Sequence, residues 1–113
     1  IDDDLDRALG QIKQQVGFYV GGMGAKDFNV HKDHISRFGF AEAADKIQDL
    51  FLSGQRDQAI AAVPDELADE ISLCGPKERI KERLQAWTDS PITMINVGSS
   101  DPDTLRFMAE EAL

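Results

Sequence analysis

The sequence predicts an α/β protein, mostly helical with one buried strand, and three observations carry that reading. Six or seven segments repeat apolar residues at intervals of three and four, the spacing of one helix face. A single run at 92–97 is apolar at Ile92, Met94, Ile95 and Val97, the near-continuous character of a strand covered on both faces in a parallel sheet. Glycines and prolines stand between these segments, where helices stop and start.

In the first segment Leu5, Leu9, Ile12, Val16 and Tyr19 share one face. Asp2, Asp3 and Asp4 put negative charge at its amino end, where the helix dipole favours it. The predicted helix covers residues 3–20, with Gly17 a mild weakness, and Gly21, Gly22 and Gly24 are expected to break it. Asp27 and Asn29 offer caps for a short helix over 30–37, ended by Gly39. From Phe40, the spacing of Ala44, Ile47 and Phe51 makes a further amphipathic helix that Gly54 stops. Residues 56–63 form a weaker, alanine-rich helix around Ala59, Ile60 and Val63. Pro64 suits the first turn of the next helix, with Leu67 and Ile71 facing inward. Gly75-Pro76 opens another, with Ile80, Leu84 and Trp87 on one side and charged residues from Lys77 to Arg83 as a solvated face. After Pro91 come the strand and the loop Gly98-Ser99-Ser100-Asp101-Pro102. A last helix then turns Leu105, Met108, Ala109 and Ala112 inward.

A lone strand is physically odd, because unpaired backbone groups away from water are costly. Either residues 92–97 pair with another copy of the chain, or their partners lie in sequence beyond these residues. A chain that begins at Ile1 rather than Met agrees with the second. Helix, strand, Gly-Ser loop and helix in succession is also the order at the closing turn of an α/β barrel.

At 113 residues the chain has room for one domain. Twelve Lys and Arg stand against 21 Asp and Glu, a net charge of −9 that argues against nucleic acid or an anionic membrane as partner. No apolar run approaches the roughly 20 residues that cross a bilayer. The single Cys74 excludes an internal disulfide framework and fits a reducing cytosol.

Little in the chain carries chemistry on its own. His31 and His34 are the two histidines, three apart on a predicted helix, so both can face one side. A metal needs roughly three or four convergent ligands, and neither His-Glu-x-x-His nor paired cysteines occur, so no metal is expected. Exposed or substrate-facing histidines are the expectation. Cys74 has no base nominated beside it and reads as a small buried thiol. The glycines at 21–24 do not match the dinucleotide fingerprint and read as a hinge between helices. Gly98, Ser99 and Ser100 follow a strand and precede a helix, which is physically a good anion site, although capping alone explains Ser100 and Asp101.

A resemblance adds to these readings. Its first segments are Phe18-Tyr19-Val20-Gly21-Gly22-Met23-Gly24-Ala25, residues 29–40 and residues 44–54. It continues through Val63-Pro64-Asp65-Glu66-Leu67, Ile71-Ser72-Leu73-Cys74-Gly75-Pro76 and Thr93-Met94-Ile95-Asn96-Val97. In order and spacing, these resemble the carboxy-terminal part of luciferase-like (bacterial-luciferase-type) oxidoreductases. The branch is the actinobacterial one that uses the deazaflavin coenzyme F-420 and is similar to methylenetetrahydromethanopterin reductase. None of these segments is catalytic by itself.

The resemblance implies the last third of an eight-stranded TIM-type (β/α) barrel, with a helical insertion over about 29–72 and the final strand and helix over about 92–113. It implies hydride transfer between coenzyme F-420 and a small organic molecule, with a flavin-dependent monooxygenase of the same family, using flavin mononucleotide, as the alternative. On this reading the chain is inactive alone, because most of the cofactor cradle lies elsewhere. Gly98, Ser99 and Ser100 would face the coenzyme, and His31, His34 and Arg37 would lie near the substrate. Exposed barrel surfaces imply a homodimer or higher oligomer, in the cytoplasm. A stand-alone helical module that binds a protein partner is the alternative from another class.

Overall fold

Helical spacing is realised along most of the chain. The computed structural model describes residues 1–113 and holds seven α-helices. They are α1 (Leu5–Gly22), α2 (Val30–Ile35), α3 (Ala41–Leu52), α4 (Arg56–Ala61), α5 (Asp65–Glu70), α6 (Lys77–Thr88) and α7 (Pro102–Ala112). Length alone predicts one domain, but the helices gather into two compact units. One is Asp6–Ser72; the other combines Ile1–Leu5 with Leu73–Leu113. No helix is long and apolar enough to cross a membrane.

In the unit Asp6–Ser72, α1 buries Leu9, Val16 and Val20 as its spacing predicts, while Tyr19 stays 37% exposed. The glycines do not break this helix. It continues through Gly22 because bare backbone at Gly21 lets Phe51 of α3 lie against it; a Cβ there would fall 2.5 Å from the Phe51 Cβ. Gly17 is likewise a contact surface, where a Cβ would meet the Ile60 side chain of α4 at 3.0 Å. The chain turns instead at Met23 and Gly24.

The second predicted helix stops two residues early, at Ile35. Ser36–Phe40 follows as a π-helical turn kinked at Gly39, whose φ of 94° is one that residues with a side chain rarely adopt. From α3, Ala44, Ile47 and Gln48 are buried, and from α5, Leu67 and Ala68. Ile71, expected inward, lies one residue past the end of α5 and is 43% exposed.

In the other unit, Ile80 and Leu84 of α6 pack with Phe107 and Met108 of α7. Leu73, Ile95, Val97 and Ala112 close around that cluster. The buried face of α7 is rotated from the predicted one. Leu105 and Ala109 are exposed and Phe107 takes their place, because its ring carries more apolar surface to the core. Trp87, also expected inward, remains 42% exposed. The Lys77 ammonium lies 5.5 Å from the centre of the Phe107 ring, and Lys81 pairs with Glu111 at 3.1 Å. Asp2 donates its backbone N–H to the Gly75 carbonyl at 2.9 Å, tying the first residues of the chain to the start of α6.

The predicted buried strand at 92–97 is not formed. The structure contains no β-ladder, only an isolated bridge between Ala25 and Phe28. Residues 92–97 run without regular structure; Ile92 is 42% and Met94 77% exposed, while Ile95 and Val97 rest on the core. The reason is the one the sequence raised. A strand needs a neighbour to hydrogen-bond, and the chain forms no second strand.

Candidate functional site

Within the unit Asp6–Ser72, α1 and α2 enclose a groove of about 310 Å³. Its floor is aliphatic, with Val16, Val20 and Ile35 buried and Ile12 partly so. His31 and His34 line it together, as their spacing on one helix predicts. Each imidazole is held by an aromatic ring. His31 lies 4.9 Å from the Tyr19 ring at a tilt of 60°, and His34 meets Phe38 edge-on at 4.8 Å. Arg37 is not brought into this group. It sits on the kinked turn Ser36–Phe40, is exposed, and lines no part of the groove. No Asp or Glu lines the groove either, in a chain of net charge −9.

Three side chains hold α2 in place, and of these only Asn29 is marked by the sequence, as a cap. Asn29, 3% exposed, caps the helix by accepting from the Lys32 backbone N–H at 2.9 Å. Its amide donates to the Val20 carbonyl near the end of α1 at 2.7 Å, so a single side chain serves both helices. Lys32 reaches across to α3, donating to Gln48 Oε1 at 2.9 Å and pairing with Asp45 at 2.8 Å. Gln48, 1% exposed, also donates to the Ala25 carbonyl at 3.4 Å. The cap was legible as Asn before a helix; the Gln48 contact was not, because nothing local marks a buried glutamine.

Gly98, Ser99 and Ser100 belong to the other unit. Gly98 and Ser100 are exposed, and a Cβ on Gly98 would meet no atom within 4 Å. The Ser99 hydroxyl accepts from the Asp101 N–H at 3.1 Å. Asp101 caps α7, accepting from the Thr104 hydroxyl at 2.7 Å and its N–H at 2.9 Å; these two bonds hold its carboxyl below the ordinary value of 3.8. A second groove, of about 370 Å³, is lined by Trp87, Met94 and Leu105 among other residues, none of them with a charged or imidazole side chain. Cys74 is buried, as read from its neighbours, and its carbonyl accepts from Arg79 at 2.9 Å. No group of three or more His, Cys, Asp or Glu side chains gathers in a way that could hold a metal ion.

Residues 1–94 match the family model described as luciferase-like monooxygenase. The chain belongs to that family. It is also 33% identical over 109 residues to a protein of Mycobacterium tuberculosis named as a putative coenzyme F-420-dependent oxidoreductase. That match takes in 96% of this chain but 31% of the relative, so the chain spans about a third of the length of the curated protein it matches. No solved structure matches the chain.

Proposed function

We propose that the chain is the carboxy-terminal part of an oxidoreductase that transfers hydride between the deazaflavin coenzyme F-420 and a small organic substrate. On this reading the 113 residues are inactive alone, and residues 29–72, within the unit Asp6–Ser72, are a helical insertion of a (β/α) barrel. The family match supports the oxidoreductase class, and the name of the mycobacterial relative supports the coenzyme. The observation that carries the partial-barrel reading is residues 92–97, an apolar-rich run without regular structure and with no ladder partner in the chain. A barrel strand cut from its neighbours is left in that state.

The residues of this chain do not form a coenzyme cradle by themselves. A Cβ on Gly98 would meet open space, and the amino end of α7 is already satisfied by the ionised Asp101 carboxylate. Gly98, Ser99 and Ser100 would therefore meet uncharged parts of the coenzyme rather than its anionic tail, since two negative groups at one helix end repel. His31 and His34 would lie near the substrate; Arg37 would approach only from outside the groove. The exposed apolar side of residues 92–97 supports a homodimer or higher oligomer, which a stable monomer in sedimentation would overturn.

The test is a pair of titrations, with coenzyme F-420 and with flavin mononucleotide. One uses this chain, the other the protein of the complete reading frame. The proposal expects no saturable binding by the chain and binding of the deazaflavin by the complete protein. The family description, a monooxygenase, favours flavin as the second reading, and preferential binding of flavin mononucleotide would establish it instead. Tight binding of either cofactor by the 113 residues would overturn the claim that the cradle lies elsewhere.

A further inference from the structure

We infer that the groove of the unit Asp6–Ser72 takes a planar, largely apolar acid, with its ring on the aliphatic floor and its anionic edge at His31 and His34. The inference rests on the substrate-proximal placement proposed above and names the chemical class that the site selects. The volume of about 310 Å³ lies at the lower end for small-molecule sites, enough for one ring system. Val16, Val20 and Ile35 leave 6%, 1% and 7% of their surface exposed, so the floor is fixed by the packing of α1 and α2 and gives a ring a preformed apolar bed.

Recognition of the acid comes from what lines the groove and from what does not. An imidazole offers an N–H donor in either charge state, and two stand here on adjacent turns of one helix. Tyr19 and Phe38 restrain both rings before any ligand arrives, so little side-chain freedom is lost on binding. The chain carries 21 carboxylate residues, yet none lines this groove, and Asp27 and Asp33 beside the histidines in sequence lie outside its lining. An anion therefore enters without meeting like charge. The second groove, beside Trp87, supplies the contrast within the same chain: it is also apolar but has neither imidazole nor cation. It should take apolar rings with no preference for an acid.

The experiment titrates the isotope-labelled chain with 2-naphthoate and with 2-naphthalenemethanol, which share a ring and differ in charge, and follows backbone amide shifts. The expected result is saturable movement of the Val16, Val20, His31, His34 and Ile35 amides by the acid. The alcohol should bind this groove roughly tenfold more weakly, the size of one hydrogen bond to a charged group. The double variant His31→Ala, His34→Ala should bind acid and alcohol alike, with helix content unchanged because both side chains are exposed. The variant His31→Gln, His34→Gln, which keeps N–H donors, should retain part of the preference. Equal affinities in the parent chain, acid-induced shifts centred on residues 87–97, or no saturable shift would each overturn the inference. Naphthoate binding at the histidines by a protein whose complete form binds neither cofactor would leave the groove assignment standing and remove the oxidoreductase reading. Cofactor binding without naphthoate binding would do the reverse.

Discussion

Asn29 is the residue whose loss should be felt most widely for its size. It is 3% exposed and uses both ends of its amide: Oδ1 accepts from the Lys32 N–H, and Nδ2 donates to the Val20 carbonyl. Replacing Asn29 with Ala removes the cap of α2, worth about 1 kcal/mol. It also leaves a carbonyl in the last turn of α1 without its donor, at a further cost of about 1–3 kcal/mol. The two losses together make the expected total about 2–4 kcal/mol.

Asn29→Asp separates the contributions. The carboxylate keeps the cap and suits a helix amino end, but it turns an acceptor toward the Val20 carbonyl, so only the second loss remains and repulsion adds to it. Urea unfolding followed by far-ultraviolet circular dichroism measures both variants. With a slope of about 2 kcal/mol per molar, the Ala variant should lower the midpoint by roughly 1–2 M at unchanged slope. An Asp variant as stable as the parent would refute the reasoning, because the bond to Val20 would then contribute nothing.

Three further outcomes follow from the packing. Gly21→Ala should destabilise the chain by about 1–3 kcal/mol, because the new methyl meets the root of Phe51, whereas Gly22→Ala meets only the far edge of that ring, which can swing, and should cost under about 1 kcal/mol; thermal unfolding of the pair tests the difference. Leu84→Ala, in the core with Ile80, Phe107 and Met108, should cost about 2–5 kcal/mol, read through the fluorescence of Trp87, the single tryptophan; a loss below about 1 kcal/mol would contradict the burial. Asp101 has its carboxyl lowered by the two bonds from Thr104, so its contribution is complete above the unfolded value and is lost as pH falls through the lower folded value. Helicity of the parent chain should therefore exceed that of Asp101→Ala at pH 5, and the difference should vanish in strong acid; a difference that persists there would show that the charge is not responsible.

Where helix formation depends on local spacing, the sequence is readable. All seven helices fall near predicted segments, and Asn29 was recognisable as a cap from its place before one of them. The departures share a cause. Gly21 and Gly22 stay helical because of Phe51, about thirty residues away, and no local rule for glycine contains that contact. Phe107 displaces Leu105 and Ala109 from the core of its unit because α6 presents Ile80 and Leu84 to it, a choice made between helices. The apolar run at 92–97 has strand composition and no strand, since a ladder belongs to pairs of segments. The site divides in the same way. His31 and His34 on one face followed from their spacing. Tyr19 as a neighbour of His31, and the exclusion of Arg37 by the kink at Gly39, are set by packing and by the π-helical turn.

The hydrogen bond from Asp2 to the Gly75 carbonyl has a consequence for how such a chain can change. Leu5 also lies close to Gly75, 3.1 Å from where a Cβ on that glycine would stand. The chain thus leaves for Asp6–Ser72 and returns from it at nearly the same place. A segment whose two ends are pinned together behaves as a cassette. Residues can be gained, lost or replaced inside it without prising its flanks apart, because loop closure is already met at its base. The groove with the two histidines lies wholly inside that cassette, so ligand preference could be exchanged as one block while the flanking residues keep their own contacts.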